Sequence, residues 1–261
     1  MLGDPSLLTL ILLGCAAFTA GFVDAVVGGG GLIQLPALVM GLPHASPAQL
    51  LATNKLGSVF GTVTASVTYV RRIPPDARVT IPMTFSAFGG AMGGAFIGIH
   101  IPKSAFNPII LVLLVVVGAY TLFKPDLGSV TALRFSGRAH VWRGSIIGAA
   151  IGMYDGALGP GTGSFLVFAL VSWLGYAFLE ATVSAKLANV ATNLGALAIF
   201  VPMGLVVWPI AAIIAPANLL GGYAGARSSV VLGSGFVRGV FVVVVSTFIV
   251  KIGGSLIGFW S

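Results

Sequence analysis

The chain has 261 residues, of which 57% are hydrophobic and only 7% charged. Soluble domains carry roughly 25% charged residues, so a soluble fold is excluded and the sequence reads as an all-α integral membrane protein whose surroundings are the lipid bilayer. The net charge of +7 sits in short stretches between apolar runs, as in cytoplasmic loops, so no nucleic-acid partner is expected.

A spanning helix needs about 20 apolar residues. Eight hydrophobic segments can be marked, at residues 6–41, 48–70, 79–99, 105–123, 143–173, 177–200, 207–226 and 236–258. The first follows "MLGDPSLL", which has no basic residue ahead of its apolar run, so a cleaved signal peptide is not expected. The lone cysteine, Cys15, excludes an internal disulfide and reads as a packing residue. This segment is too long for one span and contains "GFVDAVVGGGGLIQLP", residues 21–36. The four glycines predict helix, break, short helix. Such a break frees backbone N–H groups which, with the helix dipole, favour an anion. Irregular backbone is tolerated at membrane depth only inside protein or beside a water-filled cavity. Gly29, Gly30 and Gly31 are therefore candidate anion contacts, with Gln34 as a further donor. Asp24, just before the break, has two readings. It carries a proton through a raised pKa, or it caps the freed N–H groups or neutralises a lysine.

The second segment holds Lys55 at a depth from which it cannot easily snorkel, and intramembrane charge points to function. Ser58 and Thr62 follow at i+3 and i+7, on one helix face. Thr53 and Asn54 widen that stripe. The alternative is a lysine bridged to a carboxylate, Asp24 or Asp155, only to hold the bundle. In the third segment, "GGAMGGAFIG" at 89–98 is assigned to close helix packing. The longest polar stretch follows the fourth segment, and residues 124–142 read as a cytoplasmic linker.

The fifth segment, also too long for one span, contains "GMYDGALGPGTGSFLVFAL". Asp155 precedes its break, with Gly161, Thr162 and Gly163 as candidate contacts. In the sixth, Lys186 leads Asn189 and Asn193 at i+3 and i+7, and Ser184 widens the stripe. A shift of 131 positions carries Gly21, Asp24, Gly28, Gly30 and Lys55 onto Gly152, Asp155, Gly159, Gly161 and Lys186. The chain has only five aspartates and five lysines, so this register points to two four-segment repeats, residues 1–123 and 143–261. Eight full crossings would make the repeats parallel. Re-entrant first and fifth segments would make them inverted, which suits the distribution of positive charge slightly better. Asn218, near Pro216, reads as a helix–helix hydrogen bond. Arg227 reads as a membrane boundary and Glu180 as interfacial. His44, His100 and His140 fall in loop contexts without a second ligand at metal spacing, so no metal is expected. No cofactor loop or nucleophile–base pair can be written down, so the chain is not expected to be an enzyme.

The paired motifs, followed by "ATNKLGSVFG" and "SAKLANVATN", resemble the sulfite exporter TauE/SafE family over nearly the whole chain. The resemblance implies a multi-pass secondary transporter of a bacterial inner membrane. Its cargo would be a small sulfur-containing anion: sulfite, thiosulfate or a sulfonate such as sulfoacetate. A passive anion channel and a non-transporting assembly subunit are the other readings. Gly31 aligns with Thr162 and Asn54 with Ala185, so a strictly symmetric clamp is not expected. The oligomeric state is open.

Overall fold

The computed structural model describes residues 6–102, 104–105, 112 and 131–256, with side-chain surroundings as far as residue 232. Among these residues the fold is all helical and has no strand. The helices are α1 (Leu7–Val27), α2 (Gly31–Gly41), α3 (Pro47–Val70), α4 (Ala77–Gly98), α5 (Gly137–Ala157), α6 (Thr162–Ala169), α7 (Phe178–Phe200) and α8 (Trp208–Leu256). A π-helical turn, Leu170–Leu174, continues α6. Most of the expected segment 105–123 lies outside the described residues, as do the side chains of Lys103, Lys124, Arg238 and Lys251.

Local chemistry sets the helix ends. Ser6 accepts from Thr9 N–H at the start of α1, and Asp76 caps α4 through Arg78 N–H. Ser46 and Gln49 form a reciprocal capping box ahead of Pro47, which suits the first helical position. Among the described residues, three stretches are long and apolar enough to cross a membrane: Leu7–Val27, Phe178–Phe200 and Trp208–Leu232.

α1 ends at Val27, where Gly28 turns left-handed at φ 84°. α2 then runs back along α1. A Cβ on Gly30 would strike Ala20 and Asp24, and one on Gly41 would touch Leu13. α5 and α6 form the second such hairpin, with Gly144 beside Leu174. Gly31 and Thr162, Pro47 and Phe178, Ala77 and Trp208 each open a helix, and the members of each pair are 131 residues apart.

The helix directions follow from the contacts. Val207 N–H donates to Thr53 Oγ1 (3.0 Å) and Asn193 Nδ2 to Thr62 Oγ1 (3.2 Å), so α3 and α7 run antiparallel. α4 runs parallel to α5, with Gly148 against Met83 and Gly98 against Ala157. α1 runs parallel to α8, with Gly21 against Asn218 and Gly225 against Phe22. The glycine run at 89–98 packs as expected. A Cβ on Gly94 would collide with Met153 O, whereas one on Gly89 would meet nothing within 4 Å. Gly94→Val is therefore expected to cost about 1–3 kcal/mol of stability by overpacking. Gly89→Val should stay close to wild type. Melting of the purified variants in detergent measures the difference.

Three expectations need correction. The break expected at "LGSG" is absent, and one helix covers both segments marked at 207–226 and 236–258. An isolated glycine costs a helix only about 1 kcal/mol, so it is a weak stop signal without proline. Cys15 is exposed on the outer face of α1 rather than packed. His140 is not in a loop: it lies in the first turn of α5, buried, with Nε2 2.9 Å from the Tyr176 hydroxyl. That hydroxyl donates to Asp76 Oδ2 (3.1 Å). The ring thus joins α5 to the start of α4.

Candidate functional site

The two hairpin tips meet. Ser164 N–H donates to Gly28 O (3.2 Å), and Ser164 Oγ to Val27 O (2.7 Å). A Cβ on Gly28 or Gly163 would run into the backbone of the other. Only glycine permits this approach, and Gly28 needs glycine a second time for its positive φ. The second tip carries two more left-handed glycines, Gly159 (φ 94°) and Gly161 (φ 80°).

The tips hold the two aspartates beside the two lysines, and the pairs cross. Lys55 of α3 lies 2.6 Å from Asp155 Oδ2 of α5. Lys186 of α7 lies 3.0 Å from Asp24 Oδ2 of α1 and also donates to the Asp24 carbonyl. The pairs differ in their surroundings. Lys55 and Asp155 are both 2% exposed, and Thr162 Oγ1 donates to Asp155 Oδ1 at 2.5 Å. Lys186 is wholly buried, but Asp24 is 17% exposed. Charges are retained in such a setting only when paired and hydrogen-bonded.

A small cavity lies between the tips and the polar faces of α3 and α7. Asn54, Lys55 and Ser58 line it from α3, and Asn189 and Asn193 from α7. Asp24, Gly28 and Gly31 close it from the first hairpin. Asp155, Gly159, Thr162 and Gly163 close it from the second. Among the described residues, Lys55 is its only cationic wall residue. Asn54 Oδ1 is buried there without a hydrogen-bond partner.

Several candidates are placed elsewhere. Lys186 stands behind Asp24, away from the wall. Thr62 also lies off the wall, donating to Ser58 O (2.5 Å) and accepting from Asn193. Gly29, Gly30 and Gly161 lie off it too. Gln34 is drawn into an amide network: it accepts from Asn218 Nδ2 (2.6 Å) and approaches Asn54 O (3.4 Å). Asn218 also donates to Ala17 O (3.2 Å), binding α8 to α1 as a helix–helix contact. Thr53 and Ser184 are occupied by Val207 N–H and Thr80. Gly28 and Gly159 were not singled out as wall residues. Their signal was present, because the 131-residue shift superimposes them.

A family model described as sulfite exporter TauE/SafE matches residues 13–252. The chain is 34% identical over 236 residues to "Probable membrane transporter protein ORF9" of Sinorhizobium sp, covering 90% of this chain and 88% of the relative. It is 34% identical over 245 residues to "Probable membrane transporter protein YfcA" of Escherichia coli strain K12, covering 92% and 87%. A "Probable membrane transporter protein" of Haemophilus influenzae is 33% identical over 235 residues, covering 90% of each chain. No solved structure matches. Both the extent of the family match and the near full-length relatives lead to one conclusion: the chain belongs to the sulfite exporter TauE/SafE family of membrane transporters.

Proposed function

We propose that this protein is a secondary transporter that carries a small sulfur-containing anion across a bacterial inner membrane by alternating access. The cargo is sulfite, thiosulfate or a sulfonate such as sulfoacetate. The observation that carries the reading is a polar cavity, walled by Lys55, Asp24, Asp155 and five carboxamide or hydroxyl side chains, at the meeting point of two broken hairpins. Lys55 supplies charge to the bound anion. Asn54, Ser58, Asn189 and Asn193 supply hydrogen bonds, and the glycine tips bring backbone close to the ligand. Lys186 acts from behind Asp24.

The halves, residues 1–123 and 143–261 joined by the linker 124–142, are inverted repeats in this reading. Its support is the antiparallel run of α3 and α7, whose starts lie 131 residues apart. Parallel repeats would make those two helices parallel. Inverted repeats with a midplane site allow one half to rock against the other and present the site to either side in turn.

Purified protein should be stabilised by sulfite, thiosulfate or sulfoacetate and not by acetate. A ligand at about 100 times its dissociation constant adds about 2.7 kcal/mol, readable as a clear upward shift in melting. Proteoliposomes loaded with the active anion should then show counterflow. Uptake without counterflow would mean a channel. The absence of both stabilisation and uptake would leave an assembly role.

A further inference from the structure

We infer that Asp24, and not its counterpart Asp155, takes up one proton each time the site binds an anion; this rests on the transporter reading above. The charge balance demands a proton. Lys55, Lys186, Asp24 and Asp155 sum to zero, so an arriving anion would leave the buried cluster net negative. Uncompensated charge is expensive at membrane depth. One proton on a carboxylate removes one unit of that excess.

Only one carboxylate is placed to receive it. Both oxygens of Asp155 are engaged, by Lys55 and by Thr162, and its side chain is 2% exposed. Both aspartates border the cavity, but Asp24 is the more open, at 17% exposed. Its Oδ2 faces Lys186, while Oδ1 has no partner among the described residues. A proton from water adds to Asp24 and gives a neutral acid. Lys186 keeps the Asp24 carbonyl as an acceptor, so it is not stranded when the carboxylate loses its charge. Its released charge then helps to hold the anion. On the other side of the membrane the anion leaves, the proton returns to water, and the pair closes.

The surrounding elements add no rival for the proton. α3 presents Lys55 and Tyr69, whose hydroxyl donates to Ala25 O (2.9 Å). α7 presents Lys186, and its Glu180, in the first turn, is exposed and accepts from Thr131. α5 presents Asp155 and Tyr154, whose hydroxyl donates to Pro160 O. α2 and α6 carry no titratable side chain. In the described part of α8 the single charged side chain, Arg227, is exposed and bonded to Tyr223.

The test is anion affinity against pH, with thiosulfate and sulfoacetate as probes, since neither changes charge between about pH 6 and 9. Wild-type affinity should fall as pH rises, by up to about tenfold per pH unit, because a proton is bound with the anion. Asp24→Asn, a permanent mimic of the protonated state, should bind without that slope. In unbuffered solution the wild type should take up one proton per anion bound, a reading that needs no variant. A slope that persists in Asp24→Asn, or no proton uptake by the wild type, overturns this inference and leaves the transporter reading standing. A wild type that binds neither probe overturns both.

Discussion

Lys55→Met is expected to abolish anion-dependent stabilisation and to lower uptake by about a hundredfold. Lys55 is the one cation on the cavity wall among the described residues. A hydrogen bond to a charged group contributes about 1.5–3 kcal/mol, and each 1.4 kcal/mol is tenfold in affinity. The same change strands Asp155, which is 2% exposed with Thr162 as its remaining hydrogen-bond donor. Removing one partner of a buried ion pair costs about 3–5 kcal/mol, so the variant should also melt well below wild type. Lys186→Met makes the informative contrast. It frees Asp24, whose 17% exposure lets water solvate the carboxylate. Its stability loss should therefore be the smaller of the two. Melting curves with and without thiosulfate, together with proteoliposome counterflow, measure both effects. A folded Lys55→Met protein that still shifts with thiosulfate would remove Lys55 from the site.

The features legible in the sequence were those with a local or periodic cause. Apolar length marked the helices, and close packing was readable in the glycine run at 89–98. The i, i+3, i+7 spacing of Lys55, Ser58 and Thr62 placed them on one face of α3. Spacing within a segment does not reveal a partner, however. That Lys55 meets Asp155 rather than Asp24 depends on how two distant hairpins dock, and both aspartates were open from sequence. Gln34 shows the same limit. Its position after the break suggested a ligand donor, yet Asn218, 184 residues later in the chain, engages its carbonyl. His140 looked like a loop residue because it falls in the polar stretch 124–142 read as a linker, yet it lies in the first turn of α5, buried against Tyr176. The "LGSG" break failed for the opposite reason: a weak local stop signal did not end a long apolar helix.

The double variant Lys55→Met/Asp155→Leu is expected to recover the folding lost by Lys55→Met and to remain inactive in uptake. Apolar replacement of a whole buried ion pair is often neutral or stabilising, because no charge is left to desolvate. The local geometry favours that outcome. Thr162 loses Asp155 as an acceptor but keeps Gly159 O at 2.8 Å, so its hydroxyl is not orphaned. Methionine nearly matches lysine in volume, and the leucine adds its extra volume where Asp155 borders the cavity. Stability should therefore recover most of the loss, falling short of wild type by no more than the roughly 1–3 kcal/mol that added core volume costs. Function should not return, because the cavity has lost Lys55, the cation on its described wall. This separates two roles that a single substitution confounds. If the pair exists only to hold α3 against α5, the double variant transports, and the anion site must be sought elsewhere. If the pair exists to keep a positive charge buried at the cavity wall, a stable and silent protein results. Melting temperature and counterflow, measured on the same preparation, distinguish the two.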